Sequence, residues 1–402
     1  MASPIKTLKA KKFLPMLKAR QTRFSAAPAD LPPGTDQSRV IAKALHPKAQ
    51  YLKVAAVTKR ADDCCSYTLV PDPDRGTTAL AYFGAGKYLT VFETIGGMPV
   101  TRAYSISSSP KDALAGKYEL TVKRVDGGLV SQYILDNWKA GTEVTVSAPA
   151  GNFEYQPLRD AETVICLAGG SGITPFLSMA NAIADGDEDF RMILLYGSRN
   201  KDSILFYDEL DALTKKTDKV RVVHVLSDPD AAAALPGAEQ GFLTAELIRK
   251  YAPATEPYSV FLCGPQQMYA FLDKELEKLG LERKYIRHEM FGEFHDPQSQ
   301  DDYPTDVPAT VQITVTIQDE TKTVTGRSCD SVMQTLEKNG IAVPARCRSG
   351  ACGFCHSHLL SGSVYVPKQL EYRRLADEQF GCIHPCCSFP LTDLVLQVPA
   401  AK

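Results

Sequence analysis

Short runs rich in Val, Thr and Tyr, separated by turn residues, mark the part of the chain that follows Pro32-Pro33-Gly34. One helical stretch, residues 131–138, interrupts them. Several short strands at this spacing predict an antiparallel barrel or sandwich, and we interpret the segment as an antiparallel β-barrel. The predicted strands are residues 51–58, 66–70, 88–93, 118–125 and 143–148.

From about residue 161 the pattern changes to continuous apolar strands that alternate with helices. This alternation predicts a parallel sheet that helices cover on both faces, and ligands of such sheets bind at the carboxyl ends of the strands. The predicted strands are residues 163–168, 191–196, 221–226 and 259–263, and the predicted helices are residues 174–184, 205–214, 244–251 and 266–279.

The last part of the chain combines a hairpin, a helix and a final strand with a cysteine-rich loop. The helix, residues 331–339, ends at Gly340. The hairpin pairs residues 312–317 with 322–325, and the final strand is residues 394–398. We expect five segments: a basic extension 1–45, the barrel 46–157, the α/β domain 158–290, a linker 291–309 and the cysteine-bearing domain 310–402.

Composition agrees with a multidomain globular protein. The chain has 402 residues, too many for one core, and it is 44% hydrophobic and 23% charged. A formal net charge of -2 gives no indication of nucleic-acid binding, and no apolar run approaches the ~20 residues of a membrane helix. Six of the eleven cysteines fall between Cys347 and Cys387, which favours metal ligation in a reducing compartment, the cytoplasm, over disulfides.

The N-terminal extension is strongly basic. A transit peptide or a membrane-surface helix is one interpretation, but Pro15 would interrupt a long helix and the apolar face is untidy. We therefore expect a solvated or packed extension. Seven positive charges precede the first acid, Asp30: Lys6, Lys9, Lys11, Lys12, Lys18, Arg20 and Arg23.

The cysteine loop has the spacing C-x4-C-x2-C, from Cys347 through Cys352 to Cys355. This spacing, with a distant fourth cysteine, is the ligand pattern of a plant-type [2Fe–2S] ferredoxin. A zinc site is the alternative, but it leaves Cys347 and the loop glycines without a role. Cys382, Cys386 and Cys387 are the candidates for the fourth ligand; we choose Cys387 because it leads directly into the last strand.

Two motifs in the barrel segment suit a ligand that has a phosphate and a flat conjugated ring. Arg102, Tyr104 and Ser105 lie on one strand and offer a cation, an aromatic ring and a hydroxyl. Gly128 and Ser131 lie where the single helix begins, and the free N–H groups of a helix N-terminus favour a pyrophosphate.

The α/β segment carries a glycine turn between its first strand and its first helix. A strand that runs into such a turn and then into a helix can cradle phosphates. Other polar groups follow the later strands, at the edge of the sheet where a nucleotide would bind. The candidate binding residues are Gly169, Gly170 and Thr174 in the turn, Ser198 and Arg199 after the second strand, and Cys263, Gly264 and Pro265 after a later one.

Together these motifs resemble the ferredoxin–NADP reductase superfamily, specifically its members with a C-terminal plant-type ferredoxin domain of β-grasp fold. Oxygenase reductase components, phenylacetyl-CoA epoxidase reductase and the reductase of hybrid-cluster protein share this order. The resemblance covers about residues 46–400.

The resemblance implies a role for each motif. Arg102 would bind the flavin phosphate, Tyr104 would lie against the flavin ring, and the Gly128 turn would hold FAD rather than FMN. The glycine turn and Arg199 would bind NADH or NADPH. Ser105, Cys263 and Glu289 of a Glu289-Met-Phe291 segment would lie at the reacting rings.

The implied activity is an oxidoreductase that moves electrons from NAD(P)H to FAD, then to the [2Fe–2S] cluster, and then to an external redox protein such as an oxygenase. The alternative is an electron-transfer subunit of a stable multiprotein complex that has no independent acceptor.

Overall fold

The structure is a computed structural model that describes residues 14–26, 36–290, 293–370 and 375–399. It divides into two units, Met1–Ala44 and Leu45–Lys402. Helix α1 is Leu14–Ala26 and α2 is Gln37–Leu45, and neither buries a described side chain. Residues 1–13, which include the first four lysines of the basic extension, lie outside the described residues. No helix in the described ranges is long and apolar enough to cross a bilayer.

A six-stranded antiparallel sheet forms the first domain of the larger unit, in the order β4-β3-β6-β1-β2-β5. A bridge between Ile106 and Leu120 joins the two end strands, so the sheet closes into the predicted barrel. The strands are β1 Gln50–Ala61, β2 Cys64–Pro71, β3 Tyr88–Ile95, β4 Met98–Ser105, β5 Tyr118–Lys123 and β6 Glu143–Val146, and the helices are α3 Pro110–Leu114 and α4 Leu129–Asn137.

The second domain is a six-stranded parallel sheet in the order β10-β9-β8-β7-β11-β12. Alternate residues of its central strand β7 enter two separate apolar cores, which confirms the predicted cover of helices on both faces. The strands are β7 Thr163–Gly169, β8 Arg191–Ser198, β9 Val220–Leu226, β10 Glu239–Gln240, β11 Tyr258–Cys263 and β12 Ile286–His288. The helices are α5 Thr174–Asp185, α6 Tyr207–Lys216, α7 Pro229–Ala234, α8 Ala245–Tyr251 and α9 Gln266–Glu277.

The third domain is an α+β fold with a five-stranded sheet in the order β14-β13-β19-β15-β17. Phe294, from the predicted linker, packs edge-on against Phe389 in its core, so the linker begins inside this domain. The strands are β13 Thr310–Ile317, β14 Glu320–Arg327, β15 Ser357–Ser361, β16 Val364–Tyr365, β17 Cys382–Ile383, β18 Phe389–Pro390 and β19 Leu394–Val398, and the helices are α10 Val332–Lys338 and α11 Leu375–Gln379. The segment boundaries given above stay predictions.

Arg287 on β12 holds the segment that joins the barrel to the parallel sheet. Its guanidinium donates to the carbonyl oxygens of Asn152 and Glu154, both at 2.8 Å, and pairs with Asp160 at 2.9 Å. Both charged side chains are buried, and the guanidinium also lies over the Phe261 ring. This side chain therefore ties the segment that leaves the barrel to the parallel sheet.

Replacing Arg287 with methionine should destabilise the protein by about 3 kcal/mol, because it leaves the Asp160 carboxylate buried without its partner. Differential scanning calorimetry should show a lower melting temperature for this variant than for the parent protein. The Arg283→Gln change, at an exposed position, is the control and should leave the melting temperature unaltered. A melting temperature for Arg287→Met equal to that of the parent would contradict the assignment.

Candidate functional site

Three of the four predicted cysteine ligands, Cys347, Cys352 and Cys355, lie together on the loop between α10 and β15. The N–H of Cys352 donates to the sulfur of Cys347 at 3.4 Å, and the N–H of Phe354 donates to the sulfur of Cys352, also at 3.4 Å. The sulfur of Cys355 contacts that of Cys386 at 3.4 Å. Thiolates that accept backbone N–H groups are the donor set of an iron–sulfur cluster, so these residues fit one.

Of the three candidates for the fourth ligand, Cys386 is the one whose sulfur contacts the loop cysteines on both sides. Its sulfur contacts that of Cys355, and it also hydrogen-bonds Cys347, where the bond with Cys352 and then that with Cys386 hold the pKa of the Cys347 thiol well below its ordinary value. Cys382 instead lies 3.6 Å from a ring nitrogen of His358. The geometry therefore favours Cys386.

Cys387, which the sequence analysis preferred, lies one residue further and its sulfur has other surroundings. Its thiol donates to the carbonyl oxygen of His384 at 3.5 Å. Its sulfur also lies directly against the loop backbone at Gly350, where φ is +81°. A Cβ added at Gly350 would lie only 2.7 Å from this sulfur. Packing beneath the loop explains why this side chain is wholly buried.

Strand β4 presents the predicted flavin motif. The Ser105 hydroxyl is buried and has no hydrogen-bond partner within the described residues, which fits a group that a bound ring would satisfy. The Tyr104 ring is half-buried. Arg102 donates to the Thr101 carbonyl oxygen at 2.7 Å and pairs with Glu293 at 3.4 Å. Arg102 thus already has a carboxylate partner.

The second predicted flavin motif lies at the start of α4. Gly128 is the residue before the helix, and no side chain caps the first turn. The Ser131 hydroxyl accepts the N–H of Val125 at 3.2 Å, so it shapes the turn. The uncapped N–H groups of α4 fit an anion such as a pyrophosphate.

The glycine turn after β7 lies against the loop after β11. The turn runs from Gly169 through Gly170 into α5, and the Thr174 hydroxyl donates to the Ser171 carbonyl oxygen at 3.0 Å. A Cβ at Gly172 would lie 2.2 Å from the carbonyl oxygen of Cys263. The two predicted nucleotide loops are therefore in backbone contact.

Tyr269, which the sequence analysis missed, joins the Cys263 loop to Glu289. Its hydroxyl accepts the Gly264 N–H at 3.1 Å and donates to the Glu289 carbonyl oxygen. Burial raises the pKa of the Cys263 thiol well above its ordinary value, so the thiol is neutral. Burial, together with the nearby Cys347, also raises the pKa of the Glu289 carboxyl.

The remaining nucleotide candidates lie at the same edge of the sheet. Ser198 ends β8, and Arg199 follows it with an exposed side chain. Pro265 directly precedes α9. Phe291, the last residue of the predicted Glu289-Met-Phe291 segment, lies outside the described residues.

The first and third domains meet at Cys347. Tyr88 of β3, Ala103 of β4 and Cys347 form one small buried apolar cluster. The first cysteine of the loop therefore packs directly behind the strand that carries Tyr104 and Ser105. Nothing in the sequence marks Tyr88 for this role, because its partner is 259 positions away, at Cys347.

Comparison with known proteins matches all three domains. Residues 75–155 match the oxidoreductase FAD-binding domain, residues 166–274 the oxidoreductase NAD-binding domain, and residues 315–391 the 2Fe-2S iron-sulfur cluster binding domain.

Curated relatives match most of the chain. The ferredoxin reductase component of 3-ketosteroid-9-alpha-monooxygenase from Mycobacterium tuberculosis is 34% identical over 362 residues, covering 86% of this chain and 94% of the relative. The glycine betaine monooxygenase reductase subunit of Pseudomonas aeruginosa is 29% identical over 328 residues, covering 79% and 87%.

Among solved structures, phthalate dioxygenase reductase, a modular structure for electron transfer from pyridine nucleotides to [2Fe–2S], superposes with a TM-score of 0.60 at 27% identity. The match covers 87% of this chain and 98% of that structure. The three-domain order is therefore shared along the length of both chains.

Proposed function

Because this chain belongs to the family of FAD- and NAD-binding reductases that carry a [2Fe–2S] ferredoxin domain, we propose that it is the reductase component of an oxygenase system. It takes electrons from NAD(P)H and passes them through FAD and the cluster to a separate oxygenase. The observation that carries the proposal is the packing of Cys347 against Tyr88 and Ala103, which brings the cluster loop against the flavin strand.

The barrel binds and orients the flavin. Ser105 would supply a buried hydroxyl to the flavin ring, and Tyr104 would supply a flat face. Arg102, which is ion-paired with Glu293, and the uncapped start of α4 would bind the phosphates, and two phosphate sites would favour FAD over FMN. FAD, when bound, converts the two-electron chemistry of NAD(P)H into the one-electron chemistry of the cluster.

The parallel sheet binds the nicotinamide nucleotide at the carboxyl ends of its strands. The turn that contains Gly169, Gly170 and Thr174 would hold the pyrophosphate, and Ser198 and Arg199 would bind the adenosine ribose. Cys263 would lie at the nicotinamide end, where its neutral, buried thiol would help to exclude water. Glu289 lies at the same place and is held there by Tyr269.

Four thiolates hold the cluster: Cys347, Cys352, Cys355 and, on the geometry described above, Cys386. Cys352 is exposed whereas the other three are buried, so this ligand faces the approaching oxygenase. Cys387 is the alternative fourth ligand. All eleven cysteines are free of disulfides, which supports a reducing compartment, and we place the protein in the cytoplasm.

Anaerobic titration of the purified protein with NADH and with NADPH tests this function. The protein should contain flavin and the two irons of a [2Fe–2S] cluster. One of the nicotinamides should bleach the flavin and then produce the EPR signal of a reduced cluster. A one-electron acceptor such as cytochrome c should then be reduced only while the cluster is present.

Two outcomes would contradict the proposal. Tetrahedral zinc without iron would exclude the cluster. A flavin that neither nicotinamide reduces would exclude the reductase.

A further inference from the structure

A buried group of four charged side chains links the flavin strand to the cluster loop. At its centre Arg348, directly after the ligand Cys347, is wholly buried and binds both carboxylate oxygens of Glu337, at 2.6 and 2.7 Å. Its φ of +60° is a left-handed conformation that a non-glycine residue rarely adopts. The backbone of the loop is therefore strained at Arg348, and Glu337 fixes the position of the guanidinium.

Glu293 uses both of its carboxylate oxygens in this group. One pairs with Arg348; the other accepts from Gln334 at 2.7 Å and pairs with Arg102 at 3.4 Å. The Glu293 side chain is only 7% exposed. Although burial opposes ionisation, Arg348 and Arg102 outweigh it and hold the pKa of Glu293 at about 2, so the carboxylate is charged.

Without Glu293 the two arginines would face each other. Burial and the neighbouring Arg348 together lower the pKa of Arg102, which shows that the two cations repel. Arg348 also contacts the flavin strand directly, because its guanidinium lies 3.5 Å from the Thr101 hydroxyl. Glu337 binds Arg348, but Glu293 is the carboxylate that pairs with both arginines and so offsets their repulsion where the cluster loop meets the flavin strand.

We propose that Glu293 is a positioning residue for electron transfer: by bridging Arg102 and Arg348 it fixes the cluster loop, and with it Cys347, against the flavin strand. This inference rests on the proposed function. It assigns to a residue of the predicted linker a part in the step from flavin to cluster, and none in the step from nicotinamide to flavin.

The test separates the two steps in the full-length holoprotein by anaerobic stopped-flow absorbance and rapid freeze-quench EPR. In Glu293→Gln, reduction of the flavin by NAD(P)H should proceed at the parent rate. Reduction of the cluster should slow severalfold, because the two unscreened arginines repel and the cluster loop moves away from the flavin strand. Glu293→Asp keeps the charge and should restore part of the rate.

The matched control is Asp330→Asn, which breaks an ion pair with Lys338 of α10 without touching Arg348. It should leave both steps unaltered. If Glu293→Gln does not retain its cofactors, the rates of flavin reduction and of cluster reduction are measured in Glu293→Asp instead. Slower cluster reduction at an unaltered rate of flavin reduction would then support the inference.

Cluster reduction at the parent rate, or equal slowing of both steps, would overturn the inference. Failure of the proposed function is distinct, because the parent protein itself would then lack flavin, iron or reduction by a nicotinamide.

Discussion

Replacing Cys386 with alanine should remove the [2Fe–2S] cluster and leave the flavin. The sulfur of Cys386 contacts those of Cys355 and Cys347, and no other candidate thiol does both. A plant-type cluster requires four ligands, so loss of one should abolish the iron content and the EPR signal of the reduced cluster. Flavin reduction by NAD(P)H should continue, because the barrel and the parallel sheet are unchanged.

Cys387→Ala is the matched control, since it removes an adjacent and equally buried thiol. It should retain two irons per chain and the EPR signal, with some loss of thermal stability because the thiol packs beneath the loop at Gly350. Iron analysis and EPR on both variants check the assignment. Loss of the cluster in Cys387→Ala with retention in Cys386→Ala would contradict it and restore the choice made from the sequence.

Replacing Gly172 with alanine should abolish reduction of the flavin by NAD(P)H. The new Cβ would lie 2.2 Å from the carbonyl oxygen of Cys263, 2.5 Å from its carbonyl carbon and 2.7 Å from the Cα of Gly264. These are backbone atoms that cannot rotate away, so the two nucleotide loops must separate. Because a displacement of about 1 Å can cost about 10²-fold, we expect a loss of about that size in the rate of flavin reduction.

Stopped-flow measurement of flavin bleaching against nicotinamide concentration checks this result. Ser171→Ala, in the same turn, is the control and should stay within about twofold of the parent, since only its carbonyl oxygen makes the contact with Thr174. Chemical reduction of the flavin should still pass electrons to the cluster in Gly172→Ala. A parent-like rate with NAD(P)H would mean that the loops do not form the nucleotide site.

Local pattern was sufficient for most of the long elements and for the prediction of three cluster ligands. Periodicity predicted five of the six barrel strands and four of the six strands of the parallel sheet, because burial on one or both faces repeats along each strand; it missed β4 and the short edge strands β10 and β12. Cys347, Cys352 and Cys355 share one short loop, so their spacing alone indicates that they converge.

The fourth ligand could not be chosen in this way. Cys386 and Cys387 are neighbours, and adjacent side chains point in different directions, so only the path of the backbone decides which sulfur meets the loop. The sequence argument used distance to the last strand, which is nearly the same for both.

By itself the sequence determined the three-domain order and the cofactors, and it predicted the loops that would bind them, since each of these depends on residues close together in the chain. Only the tertiary structure decided how the loops meet: Cys347 behind Tyr88, Gly172 against Cys263, and Arg348 joined through Glu293 to Arg102. These contacts join residues that are far apart in the chain, two of them across domains, and their energies depend on burial and on the distance between charges, which no local pattern records.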